Sequence, residues 1–130
     1  MDKRIITALL VSSEERALSG LESYVKRYPK VHILRAKSCQ EALHIISGKA
    51  VDLVVADENP QDMTGLEFIK KLITLNPIIN CAVVSSLSPK DFHEASEGLG
   101  LLMQLSVRPD EKQSETLIHN LKKVMNLSNG

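Results

Sequence analysis

Apolar residues fall into five short runs, each followed by a stretch in which apolar positions recur at helical intervals. The runs are residues 5–11 (IITALLV), 31–34 (VHIL), 53–56 (LVVA), 81–84 (CAVV) and 101–105 (LLMQL). Runs that are apolar throughout suit strands of a parallel sheet covered on both faces. The second run is weaker and is expected at the sheet edge. Between the runs, Leu18, Leu21 and Val25, then Leu66, Ile69, Leu72 and Ile73, then Leu117, Leu121 and Val124 keep the spacing of one helix face.

Helix starts are legible. Ser38 followed by Glu41, and Thr64 followed by Glu67, fit the capping box. Ser88-Pro89 places a hydroxyl at the cap and Pro at the first helical position. Ser12 or Ser13 is expected to cap the first helix, while Gly48 and Gly98 stand where helices should stop. Strand–helix alternation repeated five times predicts an α/β, doubly wound open sheet with helices on both faces. Residues 1–125 read as a single domain and residues 126–130 as a frayed tail.

The chain has 130 residues, with 16 Lys plus Arg against 16 Asp plus Glu. That balance argues against a nucleic-acid partner, which would call for a basic face. The first apolar run is too short to span a membrane, so a cytoplasmic protein without a membrane partner is expected. Cys39 and Cys81 form no CxxC pair and read as reduced thiols in the core. His32, His44, His93 and His119 lack metal-ligand spacing, although His44 could be half-buried on its helix.

Ligands of such sheets gather at the carboxyl ends of the strands. Ser12, Ser13, Asp57, Ser85, Ser86 and Arg108 are placed there. The segment Asp52-Leu53-Val54-Val55-Ala56-Asp57 with Gly65, then Ser85, then Arg108-Pro109, resembles in order the landmarks of response-regulator receiver domains. The resemblance covers essentially the whole chain. It implies a flavodoxin-like (βα)5 sandwich with a five-stranded parallel sheet of order 2-1-3-4-5. It also implies that Asp57 is the phospho-acceptor and that Ser85 and Arg108 contact the phosphoryl group.

The departures are equally specific. Where the family carries two acidic residues that help hold Mg²⁺, this chain has Ser12 and Ser13. The metal pocket of Ser12, Ser13, Asp57 and the Asn59 carbonyl is therefore degenerate. Hydroxyls in place of two carboxylates weaken a site for a hard dication. One unit-charge pair at about 4 Å is worth roughly 4 kcal/mol at an effective dielectric near 20, before desolvation. Glu14 or Glu58 could supply an oxygen in rescue, and Arg108 could pair with Asp57 when no phosphate is bound.

The resemblance implies a signalling module rather than an enzyme. Its partners would be proteins, a histidine kinase or a downstream signalling protein, with homodimerisation through the face of the fourth helix, fifth strand and fifth helix (Lys90 to Glu97, Gln104, Glu111 to Lys123) as a further use. The expected function is a degenerate receiver acting through protein contact, with little or no Mg²⁺-dependent phosphorylation. The alternative is an active receiver phosphorylated on Asp57. A cofactor-binding enzyme on the same sheet would need a phosphate loop after the first strand, where Ser12-Ser13-Glu14-Glu15 is acidic instead. The chain could also be part of a larger regulator.

Overall fold

The computed structural model describes residues 4–126. Most of the predicted tail, and the charged start before Arg4, lie outside them. The elements are β1 (Ile6–Val11), α1 (Ser19–Val25), β2 (Val31–Ala36), α2 (Cys39–Gly48), β3 (Leu53–Ala56), α3 (Gly65–Leu75), β4 (Asn80–Val84), α4 (Pro89–Ala95), β5 (Gln104–Leu105) and α5 (Glu111–Val124). All strand pairs are parallel, and the five-stranded sheet has the order β2-β1-β3-β4-β5, as expected.

Side-chain alternation along each strand divides the interior in two. Ala8 and Leu10, Leu53 and Val55, and Ala82 and Val84 face Leu21 of α1 and Leu117, Ile118 and Leu121 of α5. Leu9 and Val11, Val54 and Ala56, and Cys81 and Val83 face Ala42 of α2, Phe68, Ile69 and Leu72 of α3 and Phe92 of α4. Each face therefore needs apolar residues at alternate positions, and covering both makes the central runs apolar throughout.

Three caps form as read: the Ser38, Thr64 and Ser88 hydroxyls accept from the N–H groups of Glu41, Glu67 and Asp91 at 3.1, 3.2 and 3.1 Å. The cap expected from Ser12 or Ser13 does not form. Residues 15–18 make a turn, and α1 begins only at Ser19, with Leu18 at its cap position. Leu18 is nonetheless buried, so the apolar pattern marked the core correctly and the helix start wrongly. Val124 is 61% exposed and does not share the face of Leu117 and Leu121.

The fifth run pairs only at Gln104 and Leu105. Leu102 N–H still donates to the Cys81 carbonyl at 2.8 Å, in register with the pairs that follow, but Gly98 and Gly100 take positive φ values of 84° and 66°. That backbone bends the chain before β5, and as an edge strand it has only β4 to correct its course.

Both cysteines are free and buried, and burial pushes each thiol up to about 12. They are protonated at neutral pH and unsuited to nucleophilic work. His44, expected to be half-buried, is exposed, as are His32, His93 and His119. Among the described residues, no helix is long and apolar enough to cross a membrane.

Candidate functional site

β3 is buried at every residue, and Asp57 is the first residue beyond its end. Its N–H donates to the Val11 carbonyl at 2.9 Å, which sets the carboxylate beside the end of β1. The chain then folds back so closely that α3 begins against it. Gly65 N–H donates to the Glu58 carbonyl at 2.9 Å, and a Cβ on Gly65 would overlap the Asp57 carbonyl oxygen. The Asp57–Gly65 spacing thus records a close approach of two main-chain segments that only glycine permits.

The Asp57 carboxylate is half-buried and occupied on both sides. Oδ1 accepts the N–H of Glu58 at 2.8 Å. Oδ2 lies 3.0 Å from the Ser12 hydroxyl, whose one proton is shared with the Glu14 carbonyl at 2.8 Å. The same hydroxyl accepts the Glu14 N–H at 3.1 Å. Ser12 therefore organises the turn after β1 and touches Asp57.

The other expected residues are distributed unevenly. Ser13, Glu14 and Asn59 are exposed. Ser85 is buried at the end of β4, where its hydroxyl accepts the Leu87 N–H at 3.1 Å. Glu58 reaches neither Ser12 nor Asp57 with its carboxylate. It crosses to the next loop, where one oxygen accepts both the N–H and the hydroxyl of Ser86 at 2.6 and 2.7 Å.

The expected pairing of Arg108 with Asp57 is not made. Arg108 lies three residues past Leu105, is exposed, forms no ion pair among the described residues, and has a φ of 55°. The residue directly after β5 is Ser106, bonded through its N–H and hydroxyl to the Gln113 carboxamide at 3.1 and 2.9 Å.

The residues present fit a divalent cation poorly. Among those described, no group of three or more His, Cys, Asp or Glu side chains is placed to hold a metal ion. Asp57 offers one carboxylate, and its nearest side-chain partner is a neutral hydroxyl. A cleft of about 380 Å³ opens alongside, lined by Glu58, Asn59, Thr64, Leu66 and Ser85 to Leu87.

Sequence reasoning missed the contacts of two residues, Gln104 and Asp62, that shape this edge. Gln104 donates from Nε2 to the carbonyls of Ser85 and Leu87 at 3.2 and 2.8 Å. Asp62 accepts the N–H groups of Cys39 and Gln40 at 2.8 and 3.0 Å, tying the β3–α3 loop to the start of α2. Neither contact has a local sequence signal, since each joins positions far apart in the chain.

No protein-family model matches this chain, and no curated protein matches it by sequence. Solved structures do. The signal receiver domain of an HD domain-containing protein from Pseudomonas fluorescens matches with a TM-score of 0.77 at 20% identity, over 98% of this chain and 97% of that one. A chemotaxis response regulator of Vibrio cholerae gives 0.73 at 20%, over 92% and 98%. A two-component response regulator from Legionella pneumophila gives 0.74 at 23%, over 91% and 98%. At these identities the likeness concerns the fold, and the fold of this chain is the one these receiver domains and response regulators share.

Proposed function

We propose that this protein is a receiver-type signal transduction module that works by protein–protein contact and takes up little or no phosphate in a Mg²⁺-dependent way. The likeness of fold to receiver domains supports the signalling class. The observation that carries the finer reading is the setting of Asp57. Among the described residues, the one side-chain hydrogen bond to its carboxylate comes from the Ser12 hydroxyl, and the Arg108 cation makes no ion pair with it.

Phosphoryl transfer to a carboxylate depends on positioning and on neutralising the charge of the transferred group. Asp57 is positioned, but among the described residues no cationic side chain pairs with it. Two negative groups would have to approach each other without a metal between them, in a half-buried site where such repulsion is poorly screened.

The partner is then a protein, a kinase or a downstream component, reached through the α4–β5–α5 face. That face carries Leu87 and Val107, 43% and 55% exposed, around a shallow cleft with Pro89, Gln104 and Gln113. The same surface would serve a homodimer.

The test is incubation with acetyl phosphate and Mg²⁺ followed by intact mass, with Asp57→Asn beside the wild type. No gain in either supports a non-phosphorylated module. A gain of one phosphoryl group in the wild type alone would make it an active phospho-acceptor and overturn this reading.

A further inference from the structure

The β4–α4 loop, residues 85–87, is held from two sides by side chains outside it. From the loop after β3, the Glu58 carboxylate takes the Ser86 N–H and hydroxyl on one oxygen at 2.6 and 2.7 Å. From β5, the Gln104 carboxamide donates to the Ser85 and Leu87 carbonyls. Ser85 N–H is bonded to the Leu105 carbonyl at 2.9 Å, and Leu87 N–H to the Ser85 hydroxyl. The loop runs directly into Ser88, the cap of α4, so whatever fixes it also fixes the entry of that helix.

Glu58 is well placed for this task. Its own N–H donates to Asp57 Oδ1 and its carbonyl accepts from Gly65, so its main chain is pinned on both sides before the side chain is aimed. Pinning removes freedom that a flexible surface glutamate would lose on forming the bonds. Bonds to an ionised acceptor are also shorter and stronger than neutral ones, as these distances suit. Asp57 takes its hydrogen bonds from the Glu58 N–H and the Ser12 hydroxyl, and the polar groups of Ser86 go to Glu58 instead.

We infer that Glu58 is an internal ligand of the β4–α4 loop: an anion supplied by the chain itself that holds Ser86 and the start of α4 in one conformation without a phosphoryl group on Asp57. The inference rests on the reading of this edge as a receiver-type signalling site and adds what sets its state. Gln104 completes the hold from the other side. The presented α4–β5–α5 face is then fixed by residue identity rather than by modification of the acceptor.

The test is amide hydrogen exchange at Ser86 and Leu87 by NMR on the full chain, comparing wild type with Glu58→Ala, Glu58→Gln and Asp57→Asn. Glu58→Ala should speed exchange at Ser86 by roughly tenfold or more, because the loop opens locally. Glu58→Gln should give a smaller increase, since its carboxamide oxygen can still accept without the charge. Asp57→Asn should leave Ser86 unchanged.

Equal protection of Ser86 in wild type and Glu58→Ala would overturn the inference, as would an Asp57→Asn effect as large as that of Glu58→Ala. The denaturation midpoint of each variant, measured alongside, separates local opening from global loss of stability. The acetyl phosphate experiment separates the two claims. A mass gain at Asp57 defeats the non-phosphorylated reading, while Glu58-dependent protection in the unmodified chain would leave the internal ligand in place.

Discussion

Two loops at the carboxyl edge of the sheet carry the landmarks of the sequence, and they are held in different ways. The loop after β3 is fixed by main chain: Asp57 N–H bonds to Val11, Gly65 N–H to Glu58, and α3 starts where no Cβ would fit. The loop after β5 follows a strand of two residues and carries Arg108 outward with a positive φ. The first places a carboxylate whatever its side-chain neighbours are. The second would place a cation only if β5 ran on far enough to aim it inward. Placement of the carboxylate here belongs to the backbone, and the charge around it belongs to side chains, so one can be present without the other.

The largest effect expected of this contrast is at Gly65. Gly65→Ala should lower stability by about 3 kcal/mol or more, because a methyl group forced into a packed backbone contact has no flexible neighbour to displace. Chemical denaturation measures it. A loss comparable to an ordinary surface substitution, within about 0.5 kcal/mol, would mean that the β3–α3 loop is not held by this approach.

This site also shows what could be read from residues alone. The alternation of strands and helices and three helix caps were legible because each rests on local pattern: apolar runs, helical spacing, and a hydroxyl three residues before an N–H. The sheet order came from the resemblance to receiver domains. The Asp57–Gly65 spacing was noticed through the same resemblance, and its physical reason, a close approach of two main-chain segments, is visible only in the fold. The start of α1 was misread because Ser12 has a second partner, Asp57, 45 residues away. β5 was read too long because apolarity signals burial, and Leu101 to Met103 are partly buried without being paired along their length. Glu58–Ser86 and Gln104–Ser85 were invisible for want of any local rule.

A carboxylate at Ser12 tests the side-chain half of the contrast. Ser12→Asp would put a second negative group beside Asp57, where the Ser12 hydroxyl now sits 3.0 Å from Oδ2. Without Mg²⁺ the variant should melt below wild type through like-charge repulsion. With Mg²⁺ it should recover, since a ligand bound only by the folded state stabilises it. Affinity for Mg²⁺ should rise about tenfold, equivalent to roughly 1.4 kcal/mol, as read by calorimetric titration. Unchanged Mg²⁺ response would show that the turn after β1 does not aim a side chain at Asp57 closely enough to share an ion.

A smaller, pH-dependent effect comes from Asp62. The N–H of Cys39 holds its carboxyl below the ordinary value of 3.8; slight burial opposes this, and the N–H of Gln40 adds to the lowering. A carboxyl lowered in the folded state contributes stability that is present above its unfolded value and is lost as pH falls through its folded value. The difference in stability between wild type and Asp62→Asn should therefore be full near neutrality and shrink below about pH 4. A difference that stays constant down to pH 2.5 would assign the effect of Asn to packing rather than to the charged cap.

The smallest effect, and the most direct probe of the second loop, is expected at Arg108. A non-glycine residue in the left-handed region costs roughly 1–2 kcal/mol, and a residue before proline is restricted further. Glycine removes that strain but adds freedom to the unfolded chain, worth about 0.4–1 kcal/mol in the opposite sense. Arg108→Gly should therefore leave stability unchanged or raise it by up to about 1.6 kcal/mol, and Arg108→Ala should change it little. In neither variant should the amide resonance of Glu58, which reports on Asp57 Oδ1 through its own hydrogen bond, move. A shift there, or a clear loss of stability in both variants, would show the guanidinium reaching Asp57 in solution. The β5 side would then supply a counter-charge after all, and the two loops would form one site rather than two independently held edges.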